Sequence, residues 1–387
     1  MNKIKYTKIA LVENSGFDFY SSRLRYALYL QNLGYEVSAI VPDDGSLKKI
    51  KSHGINVLAV SKNIRGSGLK NKLIYAVDLI NIFRYNHFDI IHTYRLQPNI
   101  IGTFIAGIYT KSKIVNHITG LGTAFNHSSI KYKLMQLVTI LLYRLNNLFF
   151  SPVSIFQNYY DIKDLGLKKK SFCVKGSAVD EDRFSYTSVS KIKIDILKKQ
   201  YNFLVEDDTI NFLFVSRLIR EKGIVELIEG FKLASKKNKI QLLIVGWFDK
   251  NNETSLDQNF LIDLIHGYNN IKFIGKHNDI PEIISLTDVS ILPTYYREGT
   301  PRFLLESMAM KKPIITTKMP GCDHLIDDNK NGILIKPKSI DAIEKSINFI
   351  CKKDLSTMGK SSYKIYKNEF SEKVVYSSLS DIYKKKY

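Results

Sequence analysis

Glu298 and Glu306, with seven residues between them and Gly299-Thr300-Pro301 directly behind the first, are the side chains best spaced for chemistry. That spacing sets one acid on a loop and the second on a following helix, where both can reach one ligand. Pro301 has a fixed φ and no amide hydrogen to lose, which suits a first helical turn, and the apolar run 303–310 around Glu306 reads as a buried helix. Free amides and the dipole at such a helix start favour an anion such as a diphosphate. Upstream, an apolar run over 211–215 delivers Arg217 and, five positions on, Lys222. Arg217 can grip a phosphate as a fork and Lys222 as a point charge, so together they could neutralise a departing diphosphate. Each pair also fits a bland reading, with Glu306 on a wet helix face and the two cations on a basic surface.

The elements that must position these groups follow from hydrophobic periodicity. Short apolar runs at 8–12, 36–41, 55–60, 90–92, 113–116 and 148–153 alternate with helical stretches such as 21–33 and 69–85. A second series runs through 211–215, 241–246, 271–274, 289–292, 313–316 and 332–335. Such alternation predicts α/β architecture, with two parallel sheets each covered on both faces. Ligands of these sheets bind outside the carboxyl ends of the strands, and the cleft between two facing domains is the natural site. The expected organisation is an N-terminal domain over 1–185, a polar Lys-rich hinge over 186–208, a C-terminal domain over 209–360, and a C-terminal helix over 361–387 that crosses back to the first domain.

Charge is the compositional outlier. Lys and Arg number 57 against 37 Asp and Glu, a net charge of +20 that attracts nucleic acid, anionic membrane or phosphorylated ligands. Only 11 of the 57 are Arg, and the chain is rich in Ile and Asn, so compositional bias accounts for the surplus as readily as a partner does. No zinc-finger spacing, RNA-binding aromatic signature or Arg-rich recognition helix accompanies it, and no nucleic-acid partner is expected. Cys173, Cys322 and Cys351 are far apart and odd in number, which fits a reducing cytoplasm. Cys322 and His324 lack a second pair of suitable spacing, so no metal site is expected. Residues 1–7 lead into a short apolar strand and then polar residues, the pattern of neither a signal peptide nor an anchor.

One segment bears on membranes. Residues 134–150 are strongly apolar but interrupted by Gln136, Thr139, Arg144, Asn146 and Asn147, too short and too polar to span a bilayer, which leaves a buried or interfacial helix. Across 111–170 nine Lys and Arg stand against Asp161 and Asp164. Basic charge around an apolar helix is how a peripheral protein meets anionic lipid. A core helix beside solvated lysines shows the same pattern.

Several short motifs follow one another in a telling order: Phe214-Val215-Ser216-Arg217-Leu218, Glu221-Lys222-Gly223, Val245-Gly246, Phe273-Ile274-Gly275, Arg297-Glu298-Gly299-Thr300-Pro301-Arg302, Glu306-Ser307-Met308-Ala309, Pro320-Gly321-Cys322 and Asn331-Gly332-Ile333-Leu334. This order resembles the retaining, family 4-like glycosyltransferases of the GT-B fold, which is two doubly wound Rossmann-like domains facing across a cleft. The resemblance covers nearly the whole chain. The Arg297 to Arg302 and Pro320 to Cys322 stretches, with Ile118-Thr119-Gly120-Leu121-Gly122, look closest to bacterial transferases that extend polyprenyl-diphosphate-linked saccharides. Gly176-Ser177-Ala178-Val179-Asp180 and Phe184 resemble the interdomain segment. Asp180-Glu181-Asp182 imitates the acid-x-acid pattern of metal-dependent transferases of another fold and is set aside, because both halves read as doubly wound.

The resemblance implies roles for individual residues. Glu298 would bind hydroxyls of the donor sugar and Glu306 the ribose, while Gly299, Thr300, Pro301 and Arg302 would line the diphosphate and sugar. Arg217 and Lys222 would neutralise the leaving diphosphate. Gly246 and the 274–277 stretch, Ile274 and His277 included, would border the nucleobase. Gly16 would let backbone approach the donor phosphate and acceptor, and His117 would lie near the sugar, with a satisfied structural histidine as its alternative. The implied catalytic set is Glu298, His117, Arg217 and Lys222. It contains no carboxylate nucleophile, in keeping with the family's same-face displacement, and the two glutamates sit among diphosphate-binding residues unlike a glycosidase acid and nucleophile.

The expectation is a retaining hexosyltransferase that moves a hexose or N-acetylhexosamine from a UDP-sugar to a lipid-linked saccharide in surface polysaccharide assembly, such as O-antigen or capsule. It would be cytoplasmic and peripheral on the anionic inner face of the plasma membrane. The UDP-sugar is a substrate, and neither a cofactor nor a metal is expected. One rival is a UDP-sugar epimerase or a soluble-acceptor transferase of the same fold. Another, of a different class, is a non-catalytic basic protein that binds membrane or nucleic acid.

Overall fold

Near-continuous runs of Ile, Val and Leu suit strands buried on both faces, and these runs form two wholly parallel sheets. The computed structural model describes residues 7–61, 68–126, 129–201, 208–249 and 252–385. The chain divides into one unit of residues 1–177 with 375–387 and a second of residues 178–374.

In the first unit the strands are β1 (Lys8–Val12), β2 (Glu36–Pro42), β3 (Asn56–Val60), β4 (Ile90–Tyr94), β5 (Lys113–Ile118), β6 (Val153–Phe156) and β7 (Ser171–Cys173). They lie in the order β3-β2-β1-β4-β5-β6-β7. In the second unit β8 (Ile210–Arg217), β9 (Ile240–Trp247), β10 (Ile271–Phe273), β11 (Val289–Leu292), β12 (Ile314–Thr317) and β13 (Gly332–Ile335) lie in the order β10-β9-β8-β11-β12-β13. Each order reverses once, between β1 and β4 and between β8 and β11. Those are the topological switch points where ligands of doubly wound sheets bind. Phe212 of β8 faces Leu242 on one side and Val289 on the other, and all three are buried in the second unit's core.

Three expectations are corrected. The 148–153 run is not a strand: the helix Ile130–Phe150 continues through it, Ser151 closes that helix in the left-handed region at φ 51°, and β6 starts only at Val153. Pro152, which cannot continue a helix, enforces the break. The 186–208 hinge is not a linker over its described part. Val179, Phe184 and Leu197 are buried in the second unit's core, and the Lys191–Gln200 helix lies within that unit, so the division falls at 177/178. Its residues 202–207, like residues 1–6 at the amino end, lie outside the described residues. Pro301 caps rather than opens its helix. With φ −65° and ψ 116° it is extended, and the helix runs Arg302–Ala309.

In place of one helix over 361–387 there are two, Leu355–Glu369 and Glu372–Lys384, and the chain returns to the first unit at 375, within the second of them. There Tyr383 lies 2.5 Å from His92 Nδ1, and Lys113 Nζ donates to the carbonyls of Ile382, Tyr383 and Lys385 at that helix's C-terminal end. A cation on terminal carbonyls complements the helix dipole.

Candidate functional site

The carboxyl end of β8 supplies Arg217, and a single tight turn, Arg220–Lys222, then presents Lys222. The turn is welded to the loop that follows β11 by one carbonyl. The oxygen of Glu221 accepts from the Tyr295 and Tyr296 amides at 2.8 and 2.9 Å and from the Thr294 hydroxyl at 3.1 Å. Glu221's own carboxylate is buried and accepts from Thr254 Oγ1 at 2.6 Å. Gly223 closes the turn at φ 74°, where a Cβ would fall 2.1 Å from the Pro293 carbonyl oxygen. Only glycine allows the two loops to approach this closely.

These contacts bring Lys222 and Glu298 into a direct ion pair, with side chains only 10% and 14% exposed. The Tyr296 ring stands 5.2 Å from the Lys222 ammonium and 6.0 Å from the Arg217 guanidinium. Arg217 donates from Nη1 to Asp249 Oδ2 at 3.0 Å. Behind Glu298, Gly321 at φ 87° lets the Pro320-Gly321-Cys322 loop press on the backbone, since a Cβ there would lie 2.3 Å from the carbonyl oxygens of both Glu298 and Gly299. Thr300 Oγ1 lies 3.4 Å from His324 Nε2. The second unit's switch point therefore carries two cations and a carboxylate, set where a phosphorylated ligand would meet strand ends and the start of the Arg302–Ala309 helix.

Glu306 sits one helical turn along from Arg302, 3.5 Å from its Nη2. Burial pushes the Glu306 carboxyl above its ordinary range, and the Arg302 and Arg183 guanidinium groups only partly offset this. A carboxyl whose burial its cationic neighbours only partly offset suits a hydrogen-bonding role toward a hydroxyl-bearing ligand. Gly246 has a structural reason of its own: a Cβ there would lie 2.2 Å from the Ser216 carbonyl of the adjacent strand. Ile274 donates its amide to Ile244 O, and His277 Nε2 lies 2.7 Å from the Tyr201 hydroxyl.

Gly16 and His117 belong to the first unit. Gly16 opens the Gly16–Ser22 helix, and a Cβ on it would fall 2.7 Å from Asp44 Oδ1. Asp44 Oδ2 accepts from the Phe17 amide and the Ser15 hydroxyl. The close approach at Gly16 is thus to the chain's own carboxylate. His117 is fully buried, with its ring 5.6 Å from that of His92, and burial and then Arg23 hold it well below the usual histidine range, so it is neutral. It has no surface to offer a sugar. Its carbonyl instead receives the Arg95 amide at 3.0 Å and Asn99 Nδ2 at 3.2 Å.

Sequence reasoning passed over the charges at the first unit's switch point. Glu13, just beyond β1, is wholly buried, 3.0 Å from Arg95 Nε and 3.6 Å from Arg23 Nε, while Arg95 Nη2 meets Asp18 at 2.8 Å. Burial raises the Glu13 carboxyl, and Arg95 and then Arg23 lower it less. Arg95, just beyond β4, holds φ at 72°, a strained value for a side-chain-bearing residue. A charged residue directly after an apolar strand at a switch point was the available signal. Asp249 and Tyr296 were also missed, because nothing in their spacing ties them to Arg217.

Residues 8–151 match the family model described as glycosyl transferase 4-like, and residues 196–369 match that for glycosyl transferases group 1. Two bacterial relatives are similar along most of the chain. Identity is 25% over 351 residues with the N,N'-diacetylbacillosaminyl-diphospho-undecaprenol alpha-1,3-N-acetylgalactosaminyltransferase of Campylobacter jejuni, covering 89% of each chain. It is 25% over 371 residues with the UDP-Gal:alpha-D-GlcNAc-diphosphoundecaprenol alpha-1,3-galactosyltransferase of Escherichia coli, covering 92% of this chain and 90% of the relative. A solved glycosyltransferase from Rickettsia africae has the same fold, with a TM-score of 0.78, 21% identity and 98% of both chains covered.

Proposed function

Because this chain belongs to the glycosyl transferases of group 1 and the 4-like family, we propose that it moves a hexose or N-acetylhexosamine from a UDP-sugar to a saccharide carried on a lipid diphosphate. The carrying observation is the Lys222–Glu298 ion pair, flanked by Arg217, at the second unit's switch point. Lys222 and Arg217 take up charge on the diphosphate as the bond from the anomeric carbon to the β-phosphate oxygen breaks. Glu298, released from Lys222 by the incoming phosphate, accepts hydrogen bonds from the sugar hydroxyls. Glu306 binds the ribose, and Gly299, Thr300, Pro301 and Arg302 line the diphosphate.

The acceptor hydroxyl forms the new bond on the face the phosphate leaves, and its proton passes to the departing phosphate oxygen. The sugar keeps its α configuration and UDP is released. The names of both bacterial relatives specify alpha linkages and diphosphoundecaprenol-linked saccharides, which supports retention and a lipid-linked acceptor. Two cations and a helix start make a metal unnecessary for the diphosphate. The enzyme works as a peripheral protein at the anionic cytoplasmic face of the membrane, in assembly of a surface polysaccharide.

The test is a panel of UDP-, GDP- and ADP-sugars incubated with a short-chain polyprenyl-diphosphate saccharide, following released nucleotide and extended lipid together. Acceptor-dependent release from one UDP-sugar is expected. Release without acceptor would turn the reading toward hydrolysis or epimerisation.

A further inference from the structure

The helix Ile130–Phe150 leaves most of its aliphatic side chains in water. A surface helix normally turns its apolar stripe to the core and its polar side to water. Here the two buried residues are Tyr143 and Asn146. The inward face packs the Tyr143 ring and Ile140 into a small apolar cluster and is pinned by polar groups: Gln136 Nε2 donates to Ala124 O at 2.7 Å, Asn146 Nδ2 to Ile100 O at 2.9 Å, and Asn99 Nδ2 to the Tyr143 hydroxyl at 3.0 Å. The outward face is aliphatic. Ile130, Leu134, Leu137, Leu141 and Leu148, spaced along one stripe, are each 56–86% exposed. Phe104, half exposed and 5.9 Å from the Phe150 ring, extends the apolar surface past the end of the helix.

The charge around this face is predominantly positive, with buried Asp161 and half-buried Asp164 the acids nearest in sequence to its far end. Residues 90–160 contain no Asp or Glu. Lys131 and Lys133 stand exposed in the first turn, and at the far end Lys170 donates to the carbonyl of Ser151, the residue that closes the helix, beside exposed Lys168 and Lys169. A second copy docked through this stripe would set like-charged rims together. An anionic lipid surface neutralises both ends while its acyl layer covers the leucines. No helix among the described residues is long and apolar enough to cross a membrane.

We propose that the outward face of Ile130–Phe150 enters the interfacial layer of an anionic membrane and lies in its plane, with the lysines at its two ends on the headgroups. This rests on the peripheral-membrane part of the function proposed above and names the element responsible.

Binding of the full chain to vesicles of phosphatidylcholine with and without phosphatidylglycerol tests it. A Leu134→Gln, Leu141→Gln, Leu148→Gln variant should lose affinity for the anionic vesicles by at least about tenfold, and should do so at high as well as low salt, because the lost contribution is apolar. Neutralising Lys168, Lys169 and Lys170 to Gln should weaken binding at low salt and much less at high salt. The proposal is overturned if the leucine variant binds as the wild type does, or if the wild type ignores vesicles and is instead a dimer that the leucine variant dissociates. UDP release with a water-soluble short-chain acceptor, without vesicles, keeps the two readings apart. The leucine variant should turn over like the wild type there, whereas absence of turnover in both, with vesicle binding intact, would remove the transferase reading and leave this one standing.

Discussion

Lys222 and Glu298 form a pair whose members are each exposed by a seventh or less, so neither charge is well solvated without the other. Removing one partner from such a pair leaves a poorly compensated charge, which costs more than the pair itself contributes. Glu298→Gln keeps the shape and a hydrogen-bonding end while removing the anion. It should lower transfer by about 10²-fold or more, the scale of one lost electrostatic contact in a transition state, with UDP affinity held or improved as Lys222 becomes available to phosphate. Isothermal titration beside turnover checks this, and equal loss of both would make the carboxylate structural.

Glu306 adds a pH signature. Its native pKa lies above the ordinary 4.5, so between the two values the native state holds more protons than the unfolded one. Its contribution to stability is therefore complete below 4.5 and is lost as pH rises through the native value. Glu306→Gln should flatten that loss, gaining on the wild type toward neutral pH in thermal melts, while its Michaelis constant for donor rises. An unchanged constant would count against a ribose contact.

At the scale of elements, the site is a junction of loops rather than a property of one helix. The Arg220–Lys222 turn, the loop after β11 and the 320–322 loop are locked by one shared carbonyl and by two glycines at positive φ, each within a Cβ's width of a neighbouring backbone. Gly321→Ala sets a methyl against two carbonyl oxygens and adds left-handed strain, so it should cost at least about 2 kcal/mol. Because the displaced backbone is that of Glu298 and Gly299, turnover should fall further than stability does. Urea unfolding and kinetics on the same preparation distinguish a local shift from general loosening.

At the scale of the whole molecule, the last residues of the chain complete the first unit. Tyr376 and Tyr383 pack with Tyr26, and Tyr383 fills the space beside His92 while Lys113 holds the helix end. Tyr383→Ala should remove about 3–5 kcal/mol, as for other large-to-small changes of a buried aromatic. Loss should appear first in hydrogen exchange of β4 and β5, which carry His92 and Lys113, and undiminished protection there would make the tail an accessory. Net charge acts at the same scale, since a field of +20 concentrates diphosphate donors and anionic lipid alike and should make both interactions fall with salt.

Hydrophobic patterning alone was enough for the two series of parallel strands apart from β6 and β7, because residues buried on both faces must be apolar throughout and such runs are visible without coordinates. It also determined Arg217, Lys222, Glu298 and Glu306 as candidates, because charges placed just beyond apolar runs fall at strand ends and helix starts. Which of them meet was set by the fold. The Lys222–Glu298 pair and the Asp249 partner of Arg217 depend on loops brought together by contacts between residues far apart in the chain, and the burial of His117 on its place in β5 between β4 and β6. The division at 177/178 escaped sequence reading because Leu197 in a Lys-rich helix is a single core contact with little periodic signal. The outward stripe of Ile130–Phe150 escaped for the opposite reason. Its periodicity was plain, but an amphipathic pattern does not say which face points inward, and that was settled by the polar partners waiting at Ala124, Asn99 and Ile100.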